Sequence, residues 1–212
     1  NISICTPGVA GPFTFSPASP NPSSCLDYWN GQAAPNYAYI ILYITTAGDL
    51  NLLIDGNLAT GCIDVSIFDI TGVADPCASL GVGTEIGCNY ASNCDGCNEF
   101  GSNFPCASEV PAPIVNAGDV IMILIEDWNA TMTNFTLELS TAPGSAQTGP
   151  ADATINPPPT VCATGGVIQL TAADNGGVWS GPGVSPTGEF DPATVGVGTY
   201  NIGYTIGSPP CD

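Results

Sequence analysis

Eight consecutive apolar or aromatic residues, Tyr37 to Ile44, form the longest hydrophobic run in the chain. The run is rich in aromatic and β-branched side chains and is apolar on both faces, which predicts a central strand of a sandwich. It falls far short of the ~20 residues needed to span a bilayer as a helix. Leu50–Ile54, Ile63–Phe68, Val120–Ile125 and Phe135–Leu139 repeat the habit, separated by Gly, Asn, Asp and Pro, and are also predicted as strands. No stretch sustains a 3.6-residue period. Gly72–Pro113 shows little regular pattern and is expected to be a loop region crossing one end of the sandwich. Elaborated loops of this kind are where binding tends to sit.

Composition shifts at Ala142–Pro159, a polar, Pro/Gly-rich stretch with the bearing of a linker. Beyond it the pattern resumes on the scale of an immunoglobulin-like module. Strands are predicted at Val167–Thr171, Gly177–Ser180, Gly188–Asp191 and Thr199–Ile206, with Trp179 as core anchor. The expected fold is therefore all-β: a Cys-rich, disulfide-stapled β-sandwich of jelly-roll or CUB-like type over residues 1–150, then an Ig/PKD-like β-sandwich module over 151–212. The second module is short for a sandwich of ~100 residues, so its last strand is expected to come from sequence beyond Asp212. No leader pattern precedes Asn1, and the chain reads as a mature or excised portion of something longer.

Charge narrows the functional classes. The 212 residues contain no Lys, Arg or His, and the formal net charge is -19. Only 9% of residues are charged, so the imbalance comes from missing cations and not from an acidic coat. Ser-His-Asp and Cys-His nucleophile pairs, Schiff-base lysines and bidentate guanidinium clamps are all unavailable. Nucleic acids and anionic lipid surfaces, which are held by Lys and Arg, are not expected partners, and direct membrane insertion is not expected either. A chain without Lys or Arg also offers no site to trypsin-type proteases, which suits life outside the cell.

The ten cysteines point to the same compartment. Cys5, Cys25, Cys62, Cys77, Cys88, Cys94, Cys97 and Cys106 lie in the first half, and Cys162 and Cys211 in the second. Even numbers in each half predict disulfides formed in an oxidising environment, with Cys162–Cys211 able to close the second module. Cys94-Asp-Gly-Cys97 has the spacing of zinc knuckles and redox motifs, but no cation lies nearby to lower a thiol pKa.

Several segments carry a family resemblance. "CIDVSIFDITGVADPC" (Cys62–Cys77), "IGCNYAS" (Ile86–Ser92) and "VNAGDVIMILIEDWNATMTNFTLELS" (Val115–Ser140) resemble domains of the large, repeat-rich cell-surface proteins of Bacteroidota exported by type IX secretion, which include the mobile adhesins of gliding motility. "GGVWSGPGV" (Gly176–Val184) and "GEFDPATVGVGTYNIGYTI" (Gly188–Ile206) resemble the tandem Ig/PKD-like repeats of the same proteins. The resemblance implies a secreted adhesin or filament protein and names no ligand.

Calcium is the candidate cofactor, because Asp64, Asp69, Glu126 and Asp127 flank strand ends while Asn93, Asp95, Asn98 and Glu99 crowd a Cys-rich loop, and hard oxygens on loops are what Ca²⁺ takes. The same Asp and Asn residues also make turns, and no EF-hand or RTX spacing is present. Tyr28, Trp29 and Tyr90 are candidate sugar-stacking residues, with Trp128 more suited to the core. Glu85, Glu99, Glu109 and Glu126 supply the carboxyls a glycosidase would need, without a pattern that pairs them. Sequons stand at Asn1, Asn129 and Asn134.

The sequence thus leads to an extracellular, non-enzymatic surface adhesin fragment. Its expected partners are surface glycans, other extracellular surfaces or further copies of itself. A structural filament subunit or stalk, and the carbohydrate-binding accessory module of a secreted enzyme, are the alternatives.

Overall fold

The computed structural model describes residues 2–4, 8–17, 26, 34, 36–73, 84–90, 94–101, 104–150, 152–174 and 177–206. The fold is all-β and its main body is a sandwich. Strands run β1 (Ile2–Ile4), β2 (Gly8–Thr14), β3 (Ser16–Pro17), β4 (Asn36–Thr46), β5 (Gly48–Asp49), β6 (Leu52–Gly56) and β7 (Ile63–Asp69). They continue with β8 (Thr84–Asn89), β9 (Cys97–Phe100), β10 (Glu109–Val110), β11 (Ile114–Val115), β12 (Val120–Asp127), β13 (Asn134–Leu139) and β14 (Gln147–Thr148). One sheet has the order β1-β4-β12-β7-β8, with β3 and β14 also pairing β4, and the other the order β10-β9-β6-β13-β2.

The predicted central strand occupies its expected place. Tyr37–Ile44 lies inside β4, which pairs β12 antiparallel over its length and meets β1, β3 and β14 on its other edge. Being apolar on both faces, it serves two cores. Ile40, Leu42 and Ile44 turn inward with Val65, Ile67, Ile121 and Ile123 to meet Leu52, Ile54, Phe135 and Leu137 of the other sheet. Ile41 and Tyr43 turn outward with Phe68, Val120, Met122 and Leu124.

That outer layer is covered by Leu26, Ala34 and Ile206, with Tyr204 packed against it. Tyr204 and Ile206, close to the end of the described chain, therefore rest on the large sheet.

Two expectations change. The region Gly72–Pro113 is not all loop: β8 extends one sheet beside β7, β9 extends the other beside β6, and β10 adds in parallel to β9. These strands escape an apolar-pattern reading because they bury Asn89, Asn98 and Glu99. Part of the expected linker is also structural. Ser145, Ala146 and Thr148 are buried, the Asp49 amide donates to the Gly144 carbonyl and the Ala146 amide to the Asp49 carbonyl, and β14 joins β4. Gly48 permits this approach, since a Cβ there would lie 2.3 Å from the Gly144 carbonyl oxygen.

In the second module β15 (Ile168–Gln169) pairs β17 (Glu189–Phe190), and β16 (Val178–Ser180) pairs β18 (Gly203–Thr205). These strands are shorter than predicted. Trp179 is 6% exposed and its ring lies 4.6 Å from that of Tyr204, as befits a core anchor. A single helical turn, α1 (Pro192–Val195), is capped by the Asp191 side chain. Among the described residues no helix is long and apolar enough to cross a membrane.

Candidate functional site

The described disulfides cluster at one end of the sandwich. Cys62, just before β7, is bonded to Cys94, and Cys97, at the start of β9, to Cys106. Cys88 on β8 is disulfide-bonded as well. Such bridges form and persist in an oxidising compartment. The Cys94-Asp-Gly-Cys97 motif is thereby divided between two bridges, so neither sulfur is a thiolate able to hold zinc or run redox exchange. Gly96 sits between them at φ 81°, where a Cβ would lie 2.5 Å from the Leu58 carbonyl oxygen. Only glycine both adopts that backbone and lets the loops touch. Cys162, expected in a bridge, is an exposed free thiol. Cys5, Cys25, Cys77 and Cys211 lie outside the described residues.

Beneath the bridges runs a polar network that the apolar pattern did not disclose. Asn98 Nδ2 donates to the Ile63 carbonyl at 3.0 Å and to the Asn89 carbonyl at 2.9 Å, both on the opposite sheet. Asn89 Nδ2 returns the contact, donating to the Glu99 and Ser108 carbonyls. Ser108 Oγ donates to the Asp95 carboxylate. The one trace of it in the sequence is the recurrence of Asn beside Cys, at Cys88-Asn89 and Cys97-Asn98.

The candidate calcium ligands fall at several places in the sandwich. Asp69 lies at the opposite end of β7 from the disulfides and accepts from the Thr71 amide, a turn role. Asp64 and Glu126 are opposite each other on β7 and β12, buried on the outer face. Asp127 is buried and accepts from the Met132 amide. Glu99 is buried, its two carboxylate oxygens accepting from the Phe104 and Cys106 amides. Asn93 lies outside the described residues. Among the described residues the one group of three Asp, Glu, His or Cys side chains close enough for a shared ion is Asp95, Cys97 and Cys106, and its two sulfurs are bonded to each other. Asp64 and Glu126 are thus side by side, but among the described residues no three of the candidate carboxylates lie close enough to share one ion.

Of the aromatic candidates, Tyr90 follows β8 and is 55% exposed. Tyr28 and Trp29 lie outside the described residues, and Trp128 packs partly buried against the outer cluster. For the carboxyls considered for glycoside chemistry, Glu99 and Glu126 are fully buried and Glu109 is exposed on β10. Glu85 accepts from Ser66 Oγ. The buried two present no carboxyl to a glycosidic oxygen.

In the second module, burial pushes the Tyr204 phenol above its ordinary pKa, the neighbouring Asp174 charge adding to the effect while the Gly177 amide opposes it. The Tyr204 hydroxyl accepts from the Gly177 amide and donates to the Asp174 carbonyl, each at 2.8 Å. Hydrogen bonds from Thr154 hold the exposed Asp152 carboxyl below its ordinary pKa.

No protein-family model, curated protein or solved structure matches this chain.

Proposed function

We propose that this chain is part of an extracellular cell-surface adhesin, one piece of a long repeat-containing filamentous protein that attaches to surfaces or serves gliding. The observation that carries the reading is the disulfide-pinned loop end, where oxidised cysteines hold the loops around β7, β8 and β9 and leave Tyr90 exposed. A rigid loop end with an aromatic at its surface is a reasonable contact for a glycan or another extracellular surface, because preorganised loops lose little freedom on binding. The missing cations agree with a life among proteases and argue against nucleic acid or lipid as partner.

A stalk or filament subunit is the second reading. It is favoured by the seating of Ile206 and Tyr204 on the outer sheet, which makes the two modules suited to bearing load as a pair. The test is retention of the purified, oxidised chain on a panel of glycans and abiotic surfaces, beside electron microscopy of the same material. Retention that Tyr90→Ala weakens while the fold persists supports adhesion through the pinned end. Failure to bind any surface, with assembly into regular fibres, transfers the function to the filament.

A further inference from the structure

A pocket of about 280 Å³ opens among β15, β16, β18 and the turn that leads into β17. Leu170, directly after β15, and Trp179 on β16 form its buried floor, and Tyr204 on β18 walls one side. Gln169, Pro186 and Thr187 stand exposed at its rim. An apolar and aromatic floor under a few polar groups is the build of a small-molecule site. No residue that lines the pocket is charged, although the chain carries 19 carboxyl side chains. The lining therefore has no cation to hold an anion and no carboxylate to hold a cation, and it offers only neutral hydrogen bonds.

Two of those hydrogen bonds are open. The Trp179 indole N–H has no acceptor among the described residues, whereas a buried indole ordinarily finds one. The nitrogen is nevertheless not sealed from solvent. Gly188 brings it to Gln169, because a Cβ on Gly188 would lie 2.7 Å from both Trp179 Nε1 and Gln169 Nε2. The two side chains thus meet over a position that has to stay bare. Gln169 Nε2 donates to the Leu170 carbonyl at 3.1 Å and to the Thr187 carbonyl at 2.8 Å. These bonds fix the amide and leave Oε1 with no donor among the described residues. A held donor and a held acceptor therefore stand close together beside the apolar floor.

We infer that this pocket binds one neutral pyranose ring, as a free sugar or as the end of a glycan. A sugar hydroxyl accepts and donates at once, so it answers both the Trp179 indole N–H and Gln169 Oε1. The C–H face of the ring lies against the apolar floor. The volume is at the low end of ligand pockets, about 300 Å³, which suits a single ring. The site is separate from Tyr90 and does not rest on the adhesin reading.

The chain has three tryptophans, so the indole N–H signals of the ¹⁵N-labelled native chain are few enough to follow one by one once assigned through the backbone. The titrants are glucose, galactose, mannose and N-acetylglucosamine, each also as its methyl glycoside, which stands for the end of a glycan. The Trp179 signal is expected to move saturably with at least one of them, with a dissociation constant on the order of 1 mM for so small a ligand. Response to the methyl glycoside as well assigns the site to a glycan end, and response to the free sugar alone assigns it to a soluble sugar. Gln169→Leu, a change at the exposed rim, is expected to weaken binding about tenfold, with the other two indole signals in their native places as the sign that the fold persists. A still Trp179 signal with every titrant at about 100 mM overturns the inference, as does an equal movement with glycerol or an unchanged affinity in Gln169→Leu. Glycan contact through Tyr90 leaves the Trp179 signal still, so the failure of one reading is told apart from the failure of the other.

Discussion

Asn98 donates to the backbone carbonyl of Asn89 across the sheet boundary at 2.9 Å, and Asn89 donates back to the carbonyl of Glu99, the neighbour of Asn98. The two amides fasten the edge of one sheet to the edge of the other where β8 and β9 come together. Their carbonyl partners are out of water, so a lost donor removes hydrogen bonds that solvent does not replace, although the Ser108 carbonyl keeps the Glu99 amide as a second donor. Asn98→Ala is expected to cost about 3 kcal/mol, seen as a lower urea midpoint, and Asn89→Ala a similar amount. Their effects should be strongly non-additive in a double-mutant cycle, because they belong to one network.

The two described bridges close loops of different size, with sequence separations of 32 for Cys62–Cys94 and 9 for Cys97–Cys106. Chain entropy makes the longer loop the larger contributor, about 4 kcal/mol against about 3 kcal/mol. Replacing both partners of each bridge by Ser in turn and comparing chemical denaturation checks the order. A Cys97/Cys106 loss that exceeds the Cys62/Cys94 loss would show that local packing outweighs the loop term.

Gly48→Ala tests whether the polar segment before the second module belongs to the sandwich. The added Cβ would meet backbone atoms of Gly144, Ser145 and Ala146 within 3 Å, and backbone cannot move aside as a flexible side chain does. The expected loss is about 2 kcal/mol, together with faster amide exchange at Ala146 and Asp49. An unchanged stability would mean that residues 144–146 are only loosely held.

Tyr204 gives the second module an alkaline limit. Because burial raises the pKa of this phenol, the folded state favours its neutral form. That stabilisation is whole below about pH 10, the ordinary phenol value, and is lost as pH climbs through the raised one. Tyrosinate absorbance and tryptophan fluorescence followed together should show one Tyr ionising late and in step with exposure of Trp179. Tyr204→Phe should remove that coupling, at a cost of about 1 to 2 kcal/mol at neutral pH for the two lost hydrogen bonds.

The strands that build the main core were legible because Tyr37–Ile44, Ile63–Phe68 and Val120–Ile125 carry their burial in apolar side chains. β8 and β9 were not, because Asn89, Asn98 and Glu99 are buried through hydrogen bonds, which hydropathy reads as exposure. The stretch from Ser145 to Gly149 misled for a related reason: its small polar residues pack because Gly48 leaves room, a fact of tertiary contact and not of local pattern. Among the site residues, strand-end position identified Asp64, Glu126 and Asp127 as special but not their environments. Glu126 and Asp127 are adjacent in β12, and strand alternation sends them to opposite faces. Asp69 shares a strand with Asp64 and lies at its other end.

The central claim, an adhesive surface protein, is tested most directly by the intact mass and module order of the native polypeptide isolated from its cells, with electron microscopy of the same material. The account predicts a very long chain in which the disulfide-pinned sandwich stands at a tip above many Ig-like repeats. A short protein assembled into regular fibres, with this sandwich in every subunit, would contradict it.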